Sequence, residues 1–366
     1  MKVVLSRPEL VDLIGNIQSV AASKPAIPVL ANILIEAERG ILTVSTTDLT
    51  VSMRTRMEVD MIEEGAITLP ARRFFQLVRE LTAPEIELRT TGDEIAYVQA
   101  GTSEFRLNGM NRSEFPAFPD LTRGRHFIMR VDAFKEMLSK SVFATAKEDS
   151  RHVLNGVLMQ IENSDVTFIG TDGKRLAKVS TPIDRNLGAK HRYLIPLKAV
   201  EEVIKSLDGN EAVQVSLMTD KIGIEYGSTA LITKLLVGDY PDIERVIPKQ
   251  TTFNLTLHRE ELMVLLKQVA LFTTDRSHSV HFTLTAGELT LTANSSEIGE
   301  ASVSIPVDYR GESFEIAFNP LFFHDILRHC SDETVNLAIT TPHNPALITD
   351  STTANFVIMP MRLATV

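Results

Sequence analysis

The chain has 366 residues, 44% of them hydrophobic and 23% charged, which sets it among globular proteins and makes two or three domains the expectation. Its formal net charge of −10, from 37 Lys+Arg against 47 Asp+Glu, argues against wrapping nucleic acid by bulk attraction but leaves room for a local basic surface. One cysteine, Cys330, excludes an intramolecular disulfide or a site of several thiolates. With no signal-peptide core at the N-terminus and no apolar run of about 18 residues, the expected compartment is the cytoplasm.

Residues 8–20 place Leu10, Leu13, Ile14, Ile17 and Val20 at helical spacing. An alternating strand run comes next at 40–49 and ends at Asp48. A second helix is expected over 69–81, opened by Pro70, because a proline's missing N–H has no partner in a first helical turn anyway. The same order returns further on. A helix over 132–144 carries Phe134, Met137, Leu138, Ser141 and Val142 on one face. A strand run over 165–173 then reaches Asp172, and a helix over 195–207 opens with Pro196. It returns once more, with a helix over 259–271, a strand run over 287–295 containing Asn294, and a helix over 319–330 opened by Pro320.

Acidic residues sit in the first turn of the leading helix of every copy, where the helix dipole favours them. The three prolines lie 126 and 124 residues apart, and Asp48, Asp172 and Asn294, read as equivalent turn residues, lie 124 and 122 apart. Segments such as 213–218 and 222–226 add alternating, antiparallel-type strands. A period near 124 is too long for a solenoid unit and is the size of a domain. The chain therefore reads as three copies of one α+β domain, at 1–124, 125–250 and 251–366.

One turn differs from its counterparts. Gly170-Thr171-Asp172-Gly173-Lys174-Arg175-Leu176 invites a phosphate-loop reading, but its second glycine comes three residues after the first, and it leads into strand, not helix. Only this middle copy carries Gly-Lys-Arg-Leu, and that asymmetry marks it as a candidate site. Other candidates are weak. His278 and His281 have no third ligand run nearby. His324-Asp325, Glu63-Glu64 and the neighbours His329 and Cys330 form no catalytic constellation.

The length, the threefold repeat, Thr171-Asp-Gly-Lys-Arg-Leu, Tyr240-Pro-Asp-Ile-Glu-Arg-Val and Met359-Pro-Met-Arg-Leu together resemble the bacterial DNA polymerase III β subunit family, the sliding clamps. The resemblance covers essentially the whole chain. It implies three DNA-clamp domains, each of two helices packed on antiparallel sheets, with two chains joined head to tail into a ring. It further implies a processivity factor and no enzyme. Such a ring encircles double-stranded DNA without reading sequence, and it tethers the replicative polymerase, the clamp loader and repair polymerases. No cofactor and no metal are implied. The alternative is a scaffold of the same repeats that does not encircle DNA.

The charge distribution agrees with a ring whose bore meets DNA. Six stretches spanning the helices hold 14 Lys+Arg and 12 Asp+Glu, while the remaining residues hold 23 and 35. The resemblance assigns DNA contacts to Lys24, Arg72, Arg151, His152, Lys198 and Arg276, which would meet phosphates. Glu148 departs from the neutral polar residue common in the family.

By matching motifs, the resemblance also implies a partner-peptide pocket. Leu154, Thr171, Gly173, Lys174, Arg175 and Leu176 come from the middle copy. Pro241, Arg245 and Val246 match from the Tyr-Pro-Asp segment, and Asn319, Phe322 and Pro345 from the third copy. The C-terminal run supplies Val357, Met359, Pro360, Met361, Arg362 and Leu363. Methionines adapt to varied apolar partners, and Arg175 or Arg245 would orient a peptide carbonyl or acid. Read without the resemblance, 357–361 is simply a last core strand.

Three departures stand out. Lys174 replaces the usual histidine, Ser277 stands where an aromatic residue often closes the pocket, and Ala364–Val366 extend past Leu363. For ring closure, Leu271 and Phe272 match the apolar part of the family interface. Phe105 and Leu107 are candidates opposite them, and both pairs are equally readable as core.

Overall fold

Among the described residues there are six α-helices, and each grows out of a strand with at most one residue between them. Strand Lys2–Ser6 runs into helix α1 (Arg7–Ile17), Gly65–Pro70 into α2 (Ala71–Glu80), and Arg125–Arg130 into α3 (Val131–Val142). His191–Pro196 leads into α4 (Leu197–Ser206), Phe253–His258 into α5 (Arg259–Ala270), and Phe314–Phe318 through Asn319 into α6 (Pro320–His329). This strand-to-helix step, made twice per copy, is the physical form of the repeat in the sequence. The computed structural model describes residues 1–92, 94–121, 125–209, 212–274 and 278–362.

The junctions explain one difference from expectation. Pro70 and Pro196 do not open their helices; each is the last residue of a strand and the N-cap of the next helix. Both strands lie at the end of their sheet, where a residue without an N–H costs no ladder bond, and a proline φ near −57° suits the exit from the strand. Pro320 alone sits in the first turn. There the Asn319 side chain caps the helix by accepting from the N–H groups of Leu321 and Phe322.

The chain divides into two compact units. The first comprises Met1–Glu136, Ile183–Leu187 and Ile195–Leu236. It contains a five-stranded antiparallel sheet in the order 60–63, 2–6, 85–91, 95–100, 103–108. Its eight-stranded sheet joins strands of the first and second copies where Thr229–Thr233 pairs with Val51–Thr55. The predicted face of α1 is buried as expected, with Leu10, Leu13, Ile14 and Ile17 inside and Val20 buried just beyond the helix end. Phe74, Phe127 and Phe134 are among the fully buried large side chains of this core.

The second unit comprises Met137–Pro182, Gly188–Leu194 and Val237–Val366. Its eight-stranded sheet joins strands of the second and third copies, with Arg175–Lys178 antiparallel to Asn355–Ile358. A four-stranded sheet ends in strand Gly299–Pro306. Phe282, Phe318 and Phe323 pack with ring centroids 5.2–5.5 Å apart in stacked and edge-on pairs. The middle copy thus contributes strands to both large sheets.

The equivalence of the three turns holds for two of them. Asp48 and Asp172 each accept from the N–H groups two and three residues on. In each case the preceding threonine hydroxyl accepts from the residue after the aspartate, Leu49 or Gly173, which has a positive φ of 74° or 83°. Asn294 does not belong to this set. It lies inside strand Glu288–Ser295, paired with Glu300, and the turn comes later, where Ile298 N–H bonds Ser295 O. The longer third-copy strand carries the pairing past the point where the other copies turn.

At Gly170 a strand passes close against a helix. A Cβ there would lie 2.0 Å from the Ser141 carbonyl oxygen on α3. Gly170→Ala is expected to destabilise the chain by about 1–3 kcal/mol through forced repacking, whereas Gly92→Ala, with nothing within 4 Å, should be near neutral. Paired thermal melts check the contrast.

Candidate partner-binding site

The 171–175 turn forms one wall of a cavity of about 130 Å³ within the second unit. Thr171 and Gly173 come from the turn, and Arg175 and Leu176 from the strand that leaves it. Leu154 rises from the short helical turn His152–Leu154, while Pro241, Asp242, Ile243 and Val246 come from the segment after Tyr240. Val357 and Met359 close it from the C-terminal strand and its exit. The register explains the convergence: Leu176 pairs with Val357, and the Met359 N–H donates to Lys174 O at 2.9 Å.

Tyr240 anchors the segment that carries Pro241. Its ring is buried and its hydroxyl points at Ile169 O, 3.4 Å away, and burial pushes its pKa well above the ordinary tyrosine value. Leu154 and Leu176 are buried walls, while Met359 is 38% exposed and forms an accessible lip.

Arg175 is held on every side. Its Nε donates to Asp172 Oδ2 at 3.2 Å and its Nη1 to Asp325 Oδ2 at 2.6 Å. The guanidinium carbon lies 4.6 Å from the centroid of Phe322 and 5.5 Å from that of Phe143. Phe143 in turn stacks on His329 at 4.0 Å, with the rings 9° from parallel. Only 11% of the Arg175 side chain is exposed.

Of the residues named from sequence, Leu154, Thr171, Gly173, Arg175, Leu176, Pro241, Val246, Val357 and Met359 line this cavity. Arg245 and Pro345 line instead a wider depression of about 630 Å³ that shares Asp242 and Val246 with it. Phe322 lies behind Arg175, and Asn319 is the cap of α6. Met361 bridges to Ala317, its N–H donating at 2.7 Å; neither it nor Pro360, Arg362 or Lys174 lines the cavity. Leu363, Ser277 and 364–366 lie outside the described residues.

Sequence reasoning missed Asp242 and Ile243, although both sit within the motif that named their neighbours. It also gave Arg151 to DNA alone. Arg151 reaches the cavity wall, where its Nη2 would lie 3.3 Å from a Cβ on Gly173. A bidentate bond to Asp149 aims it there and holds that carboxyl at about 2.

The remaining candidates are dispersed. Lys24, Arg72 and His152 are exposed. Lys198 donates to Asp48 Oδ2 at 2.5 Å and to Val20 O at 2.9 Å, so its ammonium is committed to its own unit. Arg276 lies outside the described residues. Phe105 and Leu107 sit on strand Ser103–Asn108, at one end of the five-stranded sheet, with Phe105 36% exposed. Leu271 is 74% exposed and Phe272 half-buried just past α5, neither of them core. Among the described residues no group of three or more His, Cys, Asp or Glu could hold a metal, and no helix is long and apolar enough to cross a membrane.

Comparison with known proteins decides what the three copies are. Family models for the DNA polymerase III β subunit match in order, the N-terminal domain at residues 1–119, the central domain at 129–242 and the C-terminal domain at 244–362. The chain belongs to the DNA polymerase III β subunit family. The β sliding clamp of Chlamydia muridarum is 49% identical over 365 residues, covering 99% of both chains. That of Escherichia coli K12 is 31% identical over 368 residues, covering 99% of this chain and all of its own. A solved sliding clamp from Pseudomonas aeruginosa bound to griselimycin superposes with a TM-score of 0.94 at 28% identity, covering 99% of this chain and 100% of that one. This β-subunit fold therefore consists of three clamp domains.

His329 gives the site a pH signature. Burial lowers its pKa below the ordinary 6.5, and the neutral ring donates from Nδ1 to Asp325 O while stacking on Phe143. Because the unfolded chain binds this proton more readily, the stabilising contribution is complete above about pH 6.5 and is lost as pH falls through the depressed folded value. His329→Gln should weaken the acid-side fall in stability, and an NMR titration of the ring should show a midpoint below 6.5.

Proposed function

We propose that the chain is a processivity factor of DNA replication, a homodimeric sliding clamp that encircles duplex DNA and tethers its polymerase through the cavity beside the 171–175 turn. The observation that carries this reading is the full-length, in-order match to β sliding clamps, combined with a cavity built from nine of the residues named for partner binding. The cavity suits a short linear segment. Much of its wall is aliphatic, with Arg151, Arg175 and Asp242 as charged members, it has a methionine lip, and the turn residues Thr171 and Gly173 border it.

We place the domain limits near 124 and 250; the first lies between the family matches ending at 119 and beginning at 129, the second six residues inside the match that begins at 244. In the proposed ring, the strand Ser103–Asn108 of one chain extends strand Gly299–Pro306 of the other, both end strands of their sheets. The exposed Leu271 and Phe105 would then be covered on closure. Lys24, Arg72, His152 and Arg276 would offer non-specific phosphate contacts, with Lys198 a lesser contributor because it is already paired. Function by encirclement needs no catalytic group, so the chain is read as a non-enzyme acting in the cytoplasm alongside the polymerase, the clamp loader and repair polymerases.

Light scattering on a size-exclusion column should give twice the chain mass at micromolar concentration; a monomer would overturn the ring. After loading onto nicked circular duplex the protein should stay bound through gel filtration and be released when the circle is cut. Equal retention on both forms would mean direct binding instead. Met359→Glu should weaken binding of a polymerase-derived peptide at least about tenfold, since a charge replaces an apolar contact, without changing the dimer. Fluorescence anisotropy checks the first effect and light scattering the second.

A further inference from the structure

Among the described residues, the arginines lining the cavity or its neighbouring depression are paired, and so is Lys178, whereas Lys174 is not. Arg175 is matched by two carboxylates, Asp172 and Asp325, and covered by two aromatic rings. Arg151 is taken up by Asp149, and Arg245 by Asp242 at 2.8 Å. Lys178 is paired with Glu244 at 2.8 Å. Each positive charge is thereby offset close to its source, so none presents a bare charge to an incoming anion.

Lys174 is different. It lies between Gly173 and Arg175, both cavity-lining, and its side chain is exposed with no ion-pair partner among the described residues. Its backbone is fixed from both sides, since its N–H donates to Asp172 Oδ1 and its carbonyl accepts from the Met359 N–H, each at 2.9 Å. The neighbouring carboxylate cannot turn to it. Asp172 spends Oδ1 on two backbone N–H groups and Oδ2 on Arg175. A flexible, uncompensated ammonium is therefore held on a rigid stem at the cavity rim. Lys174 does not itself line the cavity but is flanked by two residues that do, whereas Lys249 lines the wider depression and Arg362 lies three residues past the lining residue Met359.

Building on the peptide-binding reading of the cavity, we infer that Lys174, and none of the three arginines, selects the charge of the segment that docks there. The preferred partner is a linear peptide with apolar anchors and an acidic residue where it passes the 171–175 turn. Arg175 then acts as a wall, its charge cancelled, and does not receive the acid. This departs from the expectation that Arg175 or Arg245 orients a peptide carboxylate.

The test uses the full-length protein and fluorescein-labelled hexapeptides of Leu, Phe, Ser and Gly. Members of each pair differ by one Asp-for-Asn exchange, and the exchange is moved through all six positions. Fluorescence anisotropy at 50 mM NaCl should show, at one position or two adjacent ones, the Asp member binding about two- to fivefold tighter, the range expected of an exposed charge pair. That preference should shrink at 500 mM NaCl, vanish in Lys174→Gln and reverse in Lys174→Glu. An Asp preference that survives in Lys174→Glu overturns the inference and returns the selection to an arginine. So does equal binding of every pair by the wild-type protein. If the wild-type protein binds none of the peptides while remaining a dimer, the peptide reading of the cavity falls, and this inference with it.

Discussion

The site depends on one strand pairing, Arg175–Lys178 against Asn355–Ile358. Residues 177 to 183 positions apart in the chain become neighbours through it, and its register puts Leu176 beside Val357 and Lys174 beside Met359. A slip of one residue would turn every side chain to the opposite face. The cavity would lose both its aliphatic wall and its methionine lip. The aspartate turn protects that register by fixing where the strand begins, since Asp172 binds the backbone N–H groups of Lys174 and Arg175.

The same turn serves two ends in two copies. In the first copy Asp48 closes its own turn and pairs with Lys198, a contact internal to its unit. In the middle copy Asp172 closes the turn and orients Arg175, whose other side meets Asp325 on α6 and the ring of Phe322. A repeated piece of scaffold has thus become a site through the three residues after the aspartate, Gly173, Lys174 and Arg175, with the hydrogen bonds that shape the turn unaltered. A left-handed residue is required after the aspartate in both; glycine fills it cheaply at Gly173, while Leu49 takes it at some conformational cost.

Much of the fold was legible because it repeats. Helical spacing in 8–20 and 132–144 marked buried faces, and three prolines 126 and 124 residues apart marked the second helices. The place of Pro70 and Pro196 was not legible, since proline's φ suits a strand end and a helix start equally well. Asn294 was misplaced because an alternating run does not declare where its hairpin turns. At the site, motif matching found the walls, but Arg151 was hidden by belonging to a different expected surface. Its direction is set by Asp149, a partner visible only in three dimensions. The commitment of Arg175 to Asp325, 150 positions away, was equally out of reach of local spacing.

The direct passage of strand into helix limits how such a chain can change. One residue added at a junction such as 70–71 would turn the whole helix by about 100° about its axis. The buried face of α2, with Phe74 and Val78, would swing outward with no loop to absorb the rotation. Insertions at these junctions are therefore expected to be tolerated far less than insertions in the hairpins, and the junctions act as fixed joints. Across three copies the strand-to-helix step has kept its count at five of its six occurrences, with Asn319 the single spacer. That spacer sits at the base of the helix carrying Phe322 and Asp325, the two residues that grip Arg175 from behind.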